Sequence, residues 1–259
     1  MPVLLFTALL LSSGPTVARP VLRVCADPNN LPFSNRRQEG FENKLAELLA
    51  RELGAELQYT WFPQRRGFLR NTLNAKRCDL VMGVPVGLDR VAITQPYYRS
   101  RYVFVYGPHS PHVTSLDDPR LRTLRIGVPL VGENGNNPPP WQALALRGLA
   151  GNAKGYLVTG NYLDDSPPAE LIRAVSRGEV DLAIAWGPMA GYFAGRANPP
   201  LMIVPVPLSE APAGESFAFP IAMGVRADDL ARAAELSAIL EKRKADIDAL
   251  LDSYGVPRL

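Results

Sequence analysis

Apolar positions along this chain fall into two kinds of run, short β-rich stretches and longer stretches with helical spacing, and the two alternate. Leu22–Ala26 (LRVCA) predicts a first strand, followed by the turn-rich segment Asp27–Phe33. Phe41, Leu45, Leu48, Leu49 and Leu53 recur at the helical period and stop at Gly54, which predicts a helix. Glu56–Trp61 reads as a second strand, and Phe68, Leu69 and Leu73 mark a shorter helix. Leu80–Met82 opens a third strand that ends at Gly83. A Gly/Pro-punctuated turn (Val84–Asp89), the tetrad Gln95-Pro96-Tyr97-Tyr98 and a β-rich run, Tyr102–Tyr106, follow. This order is that of a parallel sheet covered by helices. Loops at the carboxyl ends of such strands form a ligand crevice. The stretch Cys78–Gly107 is therefore expected to supply one cleft wall and the first crossing out of this unit.

A polar, proline-bearing segment, His109–Arg122, interrupts the pattern, which then restarts. Leu124–Val128 predicts a strand, Gly132–Trp141 a loop, Gln142–Leu149 a helix and Tyr156–Thr159 a short strand. Ser166 is placed to cap a helix with Pro167 in its first position and the stripe Leu171, Ile172, Val175. Val180–Ala185 reads as a strand ending at Trp186-Gly187-Pro188, with a helix over Met189–Gly195. Leu201–Val206 and Phe217–Val225 are β-like. A last long helix from near Asp228 carries Leu230, Leu236, Ile239, Leu240, Ile247, Leu250 and Leu251. Its apolar face has no later sheet to lie on, so the chain is expected to return to the first unit. The expected fold is α/β: two Rossmann-like lobes joined by two hinge crossings. Residues 20–106 with 214–259 form lobe 1, and residues 107–213 form lobe 2.

The composition, 47% hydrophobic and 20% charged over 259 residues, is that of a globular protein. A net charge of +3 argues against nucleic-acid binding, which calls for a concentrated basic face. Residues 1–18 read as a signal peptide: Val3–Leu11 is an apolar core too short to span a bilayer, and Thr16-Val17-Ala18 offers small residues for cleavage. No Lys or Arg precedes that core, and a buried first strand is the other reading. Export to the periplasm is expected, with no membrane span in the mature chain. In that oxidising compartment Cys25 and Cys78, on strands that would be neighbours, are expected to pair. Closing that loop would contribute roughly 3–4 kcal/mol in the chain-entropy view; two buried free thiols are the alternative.

LRVCADPNNLPFS, GFENKLAELLARELG, CDLVMGV…QPYY and SRGEVDLAIAWGPMAGYFA together resemble the periplasmic solute-binding proteins of the amino-acid-binding type, family 3. The narrower strings CADPNNLPFSN, FPQRRGFLRNTL, VDLAIAWGPMAGYF and the tail YGVPRL are similar to the branch associated with quinoprotein methanol dehydrogenases, the MoxJ/XoxJ type. The resemblance implies a two-lobed type II periplasmic-binding-protein fold. It also implies a non-catalytic protein accompanying a pyrroloquinoline-quinone (PQQ) enzyme, that enzyme's metal ion and its cytochrome c acceptor. The chain itself carries no Cys-x-x-Cys-His and only 2 histidines, and no cofactor or metal site is expected in it. His109 and His112 read as a surface turn.

In amino-acid binders of that family, an Arg after the second turn grips the ligand carboxylate, and an Asp on the second lobe takes the ammonium. Arg90 lies near the first position, closer to Tyr97-Tyr98 than is usual; Trp186 stands at the second. The bidentate Arg contact could survive, and an indole face attracts cations only weakly. Amino-acid binding is expected to be lost or much weakened. Phe33, Trp61, Phe68, Tyr97, Tyr98 and Trp186 all fall near strand ends and could line one aromatic cleft, or serve as plain packing. Asp27, Glu133 and Arg90 are the residues nearest to acid–base chemistry, none with a partner at recognisable spacing, and no catalytic residue is assigned. Arg65, Arg66 and Arg70 form one basic cluster and Arg99 and Arg101 another. Either is a solvated face or a docking surface, and Arg99 and Arg101 are chosen for electrostatic steering. Three functions compete: a partner of a methanol dehydrogenase, the solute-binding component of an ABC importer for a small non-amino-acid ligand, and an enzyme on the same frame. The first is favoured.

Overall fold

The computed structural model describes residues 19–130, 138–158 and 166–259. The leader expected at residues 1–18 and the site candidate Glu133 lie outside the described residues.

Lobe 1 starts from β1 (Val21–Ala26), which alternates outside and inside at its first residues and is then buried throughout, as suits a strand covered on both faces. A small hairpin of β2 (Asn29–Asn30) and β3 (Ser34–Asn35) follows. Next come α1 (Phe41–Glu52), β4 (Glu56–Trp61), the short α2 (Phe68–Asn71), β5 (Leu80–Pro85) and β6 (Ala92–Ile93). β1 lies between β4 and β5, parallel to both. The helical spacing of Phe41, Leu45 and Leu49 turns these side chains inward, where all are buried. Cys25 and Cys78 form a disulfide, with Cα atoms 5.5 Å apart.

β7 (Tyr98–Tyr106) belongs to both lobes. Its residues Tyr98–Arg101 pair antiparallel with lobe 1, and Tyr102–Tyr106 pair antiparallel with lobe 2. Lobe 2 then adds β8 (Ile126–Leu130), α3 (Pro139–Leu146), β9 (Ala153–Leu157), α4 (Glu170–Ser176), β10 (Leu182–Trp186), α5 (Gly187–Ala194) and β11 (Met202–Pro205). β12 (Ala218–Val225) carries the chain back, and α6 (Leu230–Lys242) and α7 (Lys244–Ser253) cover lobe 1. The strand order is β4-β1-β5-β12-β7-β10-β8-β9, so the hydrogen-bonded ladder runs through the hinge without a break.

Two expectations are corrected. The single last helix is two, broken at Arg243 (φ −106°, ψ 17°), which lets Leu236 and Leu240 on one segment and Ile247 and Leu251 on the other all reach the lobe 1 core. No residue between Glu241 and Lys244 is a helix breaker, so packing on a rounded surface imposes the bend. Ser166 makes no side-chain cap and sits in the left-handed region (φ 68°). The next two residues are Pro167 and Pro168, which offer no N–H for a cap to accept. Instead the Ser166 N–H donates across the lobes to Asn29 Oδ1 at 3.3 Å.

The tail Tyr254–Leu259 crosses behind the hinge. Tyr254 stacks on Tyr192 of α5 at 5.7 Å. Ser100 Oγ donates to the Pro257 carbonyl at 2.5 Å, and Leu259 N–H to the Arg99 carbonyl at 3.0 Å. A Cβ at Gly191 would lie 1.9 Å from the Gly255 carbonyl oxygen, so α5 and the tail can approach this closely only because residue 191 has no side chain.

Candidate functional site

The strand ends of lobe 1 converge on the start of α1. Asp27, just past β1, is 2% exposed. It accepts from Asn29 N–H at 2.8 Å and Gln64 N–H at 2.6 Å, and its carbonyl takes the Ser34 hydroxyl at 2.9 Å. These contacts tie the loop after β1 to the loop after β4. Asp27 is thus an organiser of two loops, with its carboxylate committed to backbone donors.

Tyr97 and Tyr98, at the start of β7, are both buried. The Tyr97 hydroxyl accepts from Gly83 N–H at 3.2 Å and donates to Glu42 Oε1 at 3.2 Å. Gly83 has φ +69°, and a Cβ there would lie 2.6 Å from Glu42 Oε1, so the glycine makes room for the carboxyl as well as for the turn. Glu42 is 7% exposed. Burial pushes its pKa up to about 8, while the Tyr97 hydrogen bond acts the other way; at neutral pH it is mainly a neutral acid. Burial also raises Tyr97 and Tyr98 well above the usual tyrosine range. The strand ends of lobe 1 therefore meet in an uncharged polar knot.

Aromatic rings extend from this knot. Phe33 packs edge-on against Phe41 at 5.4 Å, Phe41 against Tyr98 at 6.0 Å, and Tyr98 against Tyr97 at 5.0 Å. Trp186 closes β10 and precedes α5. It lies opposite Tyr102 in the ladder, with its ring 5.4 Å from Tyr102 and 5.9 Å from Phe219. Trp186 and Phe33 are half-buried and pack against the lobe 1 core, as does Phe219. Trp186 also interacts with the Tyr98 hydroxyl. Residues from both lobes and both crossings thus share one aromatic junction, an arrangement suited to holding apolar groups.

Of the residues singled out in the sequence, Phe33, Tyr97, Tyr98 and Trp186 come together. Trp61 does not join them: it stacks on Tyr59 at 4.6 Å, and the Arg36 guanidinium lies 6.0 Å from its ring. Phe68 is 8% exposed and packs in the core around Cys25, Cys78 and Leu73, so it is a structural residue. Arg90 is exposed in a turn whose residues 85–90 are all exposed. Arg99 is exposed, but Arg101 is half-buried, with its Nε buried and without a hydrogen-bond partner among the described residues, a poor position for steering a partner. His112 Nδ1 lies 3.4 Å from the Tyr106 hydroxyl. Among the described residues, no three His, Cys, Asp or Glu side chains are grouped to hold a metal ion. Glu42, Tyr102 and Phe219 were not read as site residues. The available sign for Glu42 was an acid lodged beside Phe41 at the start of an apolar helical stripe.

The profile of the bacterial extracellular solute-binding proteins, family 3, matches residues 22–256. The chain belongs to that family. Among its relatives, the protein MoxJ of Methylorubrum extorquens is 33% identical over 250 residues, which cover 92% of this chain and 81% of that one. The MoxJ protein of Paracoccus denitrificans is 28% identical over 97% of this chain and 94% of its own. Among solved structures, the periplasmic binding protein XoxJ from Methylobacterium extorquens AM1 is similar with a TM-score of 0.74. It shows 38% identity and covers 92% of this chain and 99% of that one. This family 3 chain has the two-lobed α/β fold of such proteins, with an aromatic junction at its hinge.

Proposed function

We propose that this protein is a non-catalytic periplasmic binding protein that binds a PQQ-dependent methanol dehydrogenase and assists its maturation or activation. The observation that carries this reading is Trp186. It stands where the resemblance places the acid of amino-acid binders, and its indole is engaged with Tyr102 and Phe219 at the hinge. An aromatic junction backed by a neutral Glu42 favours the apolar side chains of a protein segment over a small zwitterion, which would need a charged partner for each of its ends. Similarity to MoxJ and XoxJ over most of the chain supports the same partner system.

The test is dehydrogenase activity in a deletion strain, together with co-purification of the dehydrogenase from periplasm. Loss of activity and co-purification are expected. Unchanged activity with no co-purifying quinoprotein would refute the reading. Calorimetry against free L-amino acids is expected to show no tight binding; micromolar affinity for any of them would restore the importer. Replacing Trp186 with Ala is expected to cost roughly 2–4 kcal/mol of partner binding, with a thermal melt run alongside because the ring also packs against the core.

A further inference from the structure

Resting on the reading of this chain as a partner-binding protein, we propose that the open β4 edge of lobe 1 is a docking face for an acidic protein surface. The face runs from Trp61 to Arg77, with Arg36 beside it. Between Glu56 and Asp79 the chain carries Arg65, Arg66, Arg70, Lys76 and Arg77 and not one acid. All five are exposed, and none has an ion pair among the described residues. Several other surface arginines are neutralised where they stand: Arg125 by Asp181 at 2.6 Å, Arg147 by Asp117 at 2.7 Å, and Arg258 by Asp248 at 2.6 Å and Asp252 at 2.7 Å.

The scaffold holds these charges in place. β4 is the terminal strand of the sheet, and Thr60 on it donates to the Arg77 carbonyl at 2.7 Å. Phe68 anchors the segment from below against Phe62, with ring centroids 6.3 Å apart, and into the core beside the disulfide. Asn30 Nδ2 donates to Gln64 Oε1 at 2.9 Å, which joins the loop bearing Arg36 to the loop bearing Arg65 and Arg66. Like charges fixed in this way repel one another and are relieved by an acidic partner. Trp61, half-buried under Arg36, adds an aromatic anchor, and Trp with Arg is the pairing enriched in protein interfaces. No large exposed hydrophobic side chain falls between residues 36 and 77, so this edge offers nothing to insert into a lipid surface. Arg99, in contrast, lines a groove of about 510 Å³ that already contains Glu241 and Asp248.

The experiment measures affinity of the full mature chain, disulfide intact, for the purified methanol dehydrogenase of the same organism, at low and at physiological salt. The triple variant R65E/R66E/R70E is expected to bind about tenfold more weakly or worse at low salt and to lose most of the salt dependence. R65K/R66K/R70K should keep both, and so should R122E on lobe 2, with thermal melts confirming that each variant is folded. A triple reversal that binds as tightly as the wild type overturns the docking face and leaves the proposed function standing. A wild type that binds at neither salt overturns both. Wild-type binding to phosphatidylglycerol vesicles that the reversal abolishes, with dehydrogenase affinity unchanged, overturns the face in favour of a lipid surface.

Discussion

The two lobes share one strand-pairing device and are consolidated by different means. In lobe 1 Arg23 donates through Nε and Nη2 to Asp79 at 3.0 and 2.9 Å; in lobe 2 Arg125 does the same to Asp181 at 3.1 and 2.6 Å. Both pairs are 56 residues apart. The ladders correspond too: Val24 opposite Leu80 and Cys25 opposite Val81 have counterparts in Ile126 opposite Leu182 and Gly127 opposite Ala183. At the place of the Cys25–Cys78 bond, lobe 2 has Gly127 and Val180. A Cβ on Gly127 would lie 2.8 Å from Leu171 and 3.2 Å from Val180. Lobe 2 closes by apolar contact where lobe 1 is covalently tied. The buried polar side chains of the described residues, from Asp27 to Ser100, all belong to the first part of the chain. A lobe whose loops are fastened by buried polar groups gains defined loop positions and becomes sensitive to pH and redox state; an apolar lobe is sensitive to volume.

The largest break in symmetry should come from Glu42. Its folded pKa lies above its unfolded value, so its contribution is fully present below pH 4.5 and is lost as pH rises through about 8. At about 1.4 kcal/mol per pH unit, that range spans roughly 4–5 kcal/mol. Denaturant unfolding of the wild type is expected to show this decline between acidic and mildly alkaline pH, and Glu42→Gln should flatten it. An unchanged slope in the variant would remove the buried acid from the account.

Next in size is the covalent tie. The double substitution C25A/C78A is expected to cost about 3–4 kcal/mol and to speed hydrogen exchange in β1 and β5 far more than in β8 and β10. Equal loss of protection in both lobes would contradict separate consolidation. Gly127→Ala is the matching change in lobe 2. It forces a methyl group against Leu171 and should cost about 1–3 kcal/mol by overpacking, visible as faster exchange in β8. Gly191→Ala tests the strap that joins the lobes: displacing the tail should cost a similar amount, about 1–3 kcal/mol, and increase the radius of gyration by small-angle scattering. The smallest effect belongs to the shared pairs. Burial opposes ionisation of Asp79, but hydrogen bonds from Arg23 win, and Asp181 is lowered chiefly by those from Arg125. Both contributions are present above the ordinary carboxylate range and fade as pH falls through it. Asp79→Asn and Asp181→Asn should each cost about 1 kcal/mol or less at neutral pH, with Asp79 the larger because Arg226 also reaches it at 3.4 Å.

The alternation of β-rich and helical runs carried the fold in the sequence, because burial on one face imposes a period that any reader can see. The restart after Arg122 made a second lobe legible, and the adjacency of the first and third major strands made the Cys25–Cys78 bond legible. What the sequence could not decide was which aromatic or charged residue among similar neighbours would end up where. Phe68 and Phe33 are the same residue type near strand ends, yet one packs against the disulfide and the other joins the hinge junction. Asp27 is consumed by two loops whose closeness depends on β1 and β4 pairing. Arg99 and Arg101 both pair with β12, yet only Arg101 ends up half-buried. Glu42 acquires its shifted pKa only when Gly83, Tyr97 and the α1 face close over it. Periodicity is a local property and is written along the chain. Desolvation and strap contacts come from residues far apart in sequence, such as Gly191 against Gly255, and exist only once the chain has packed.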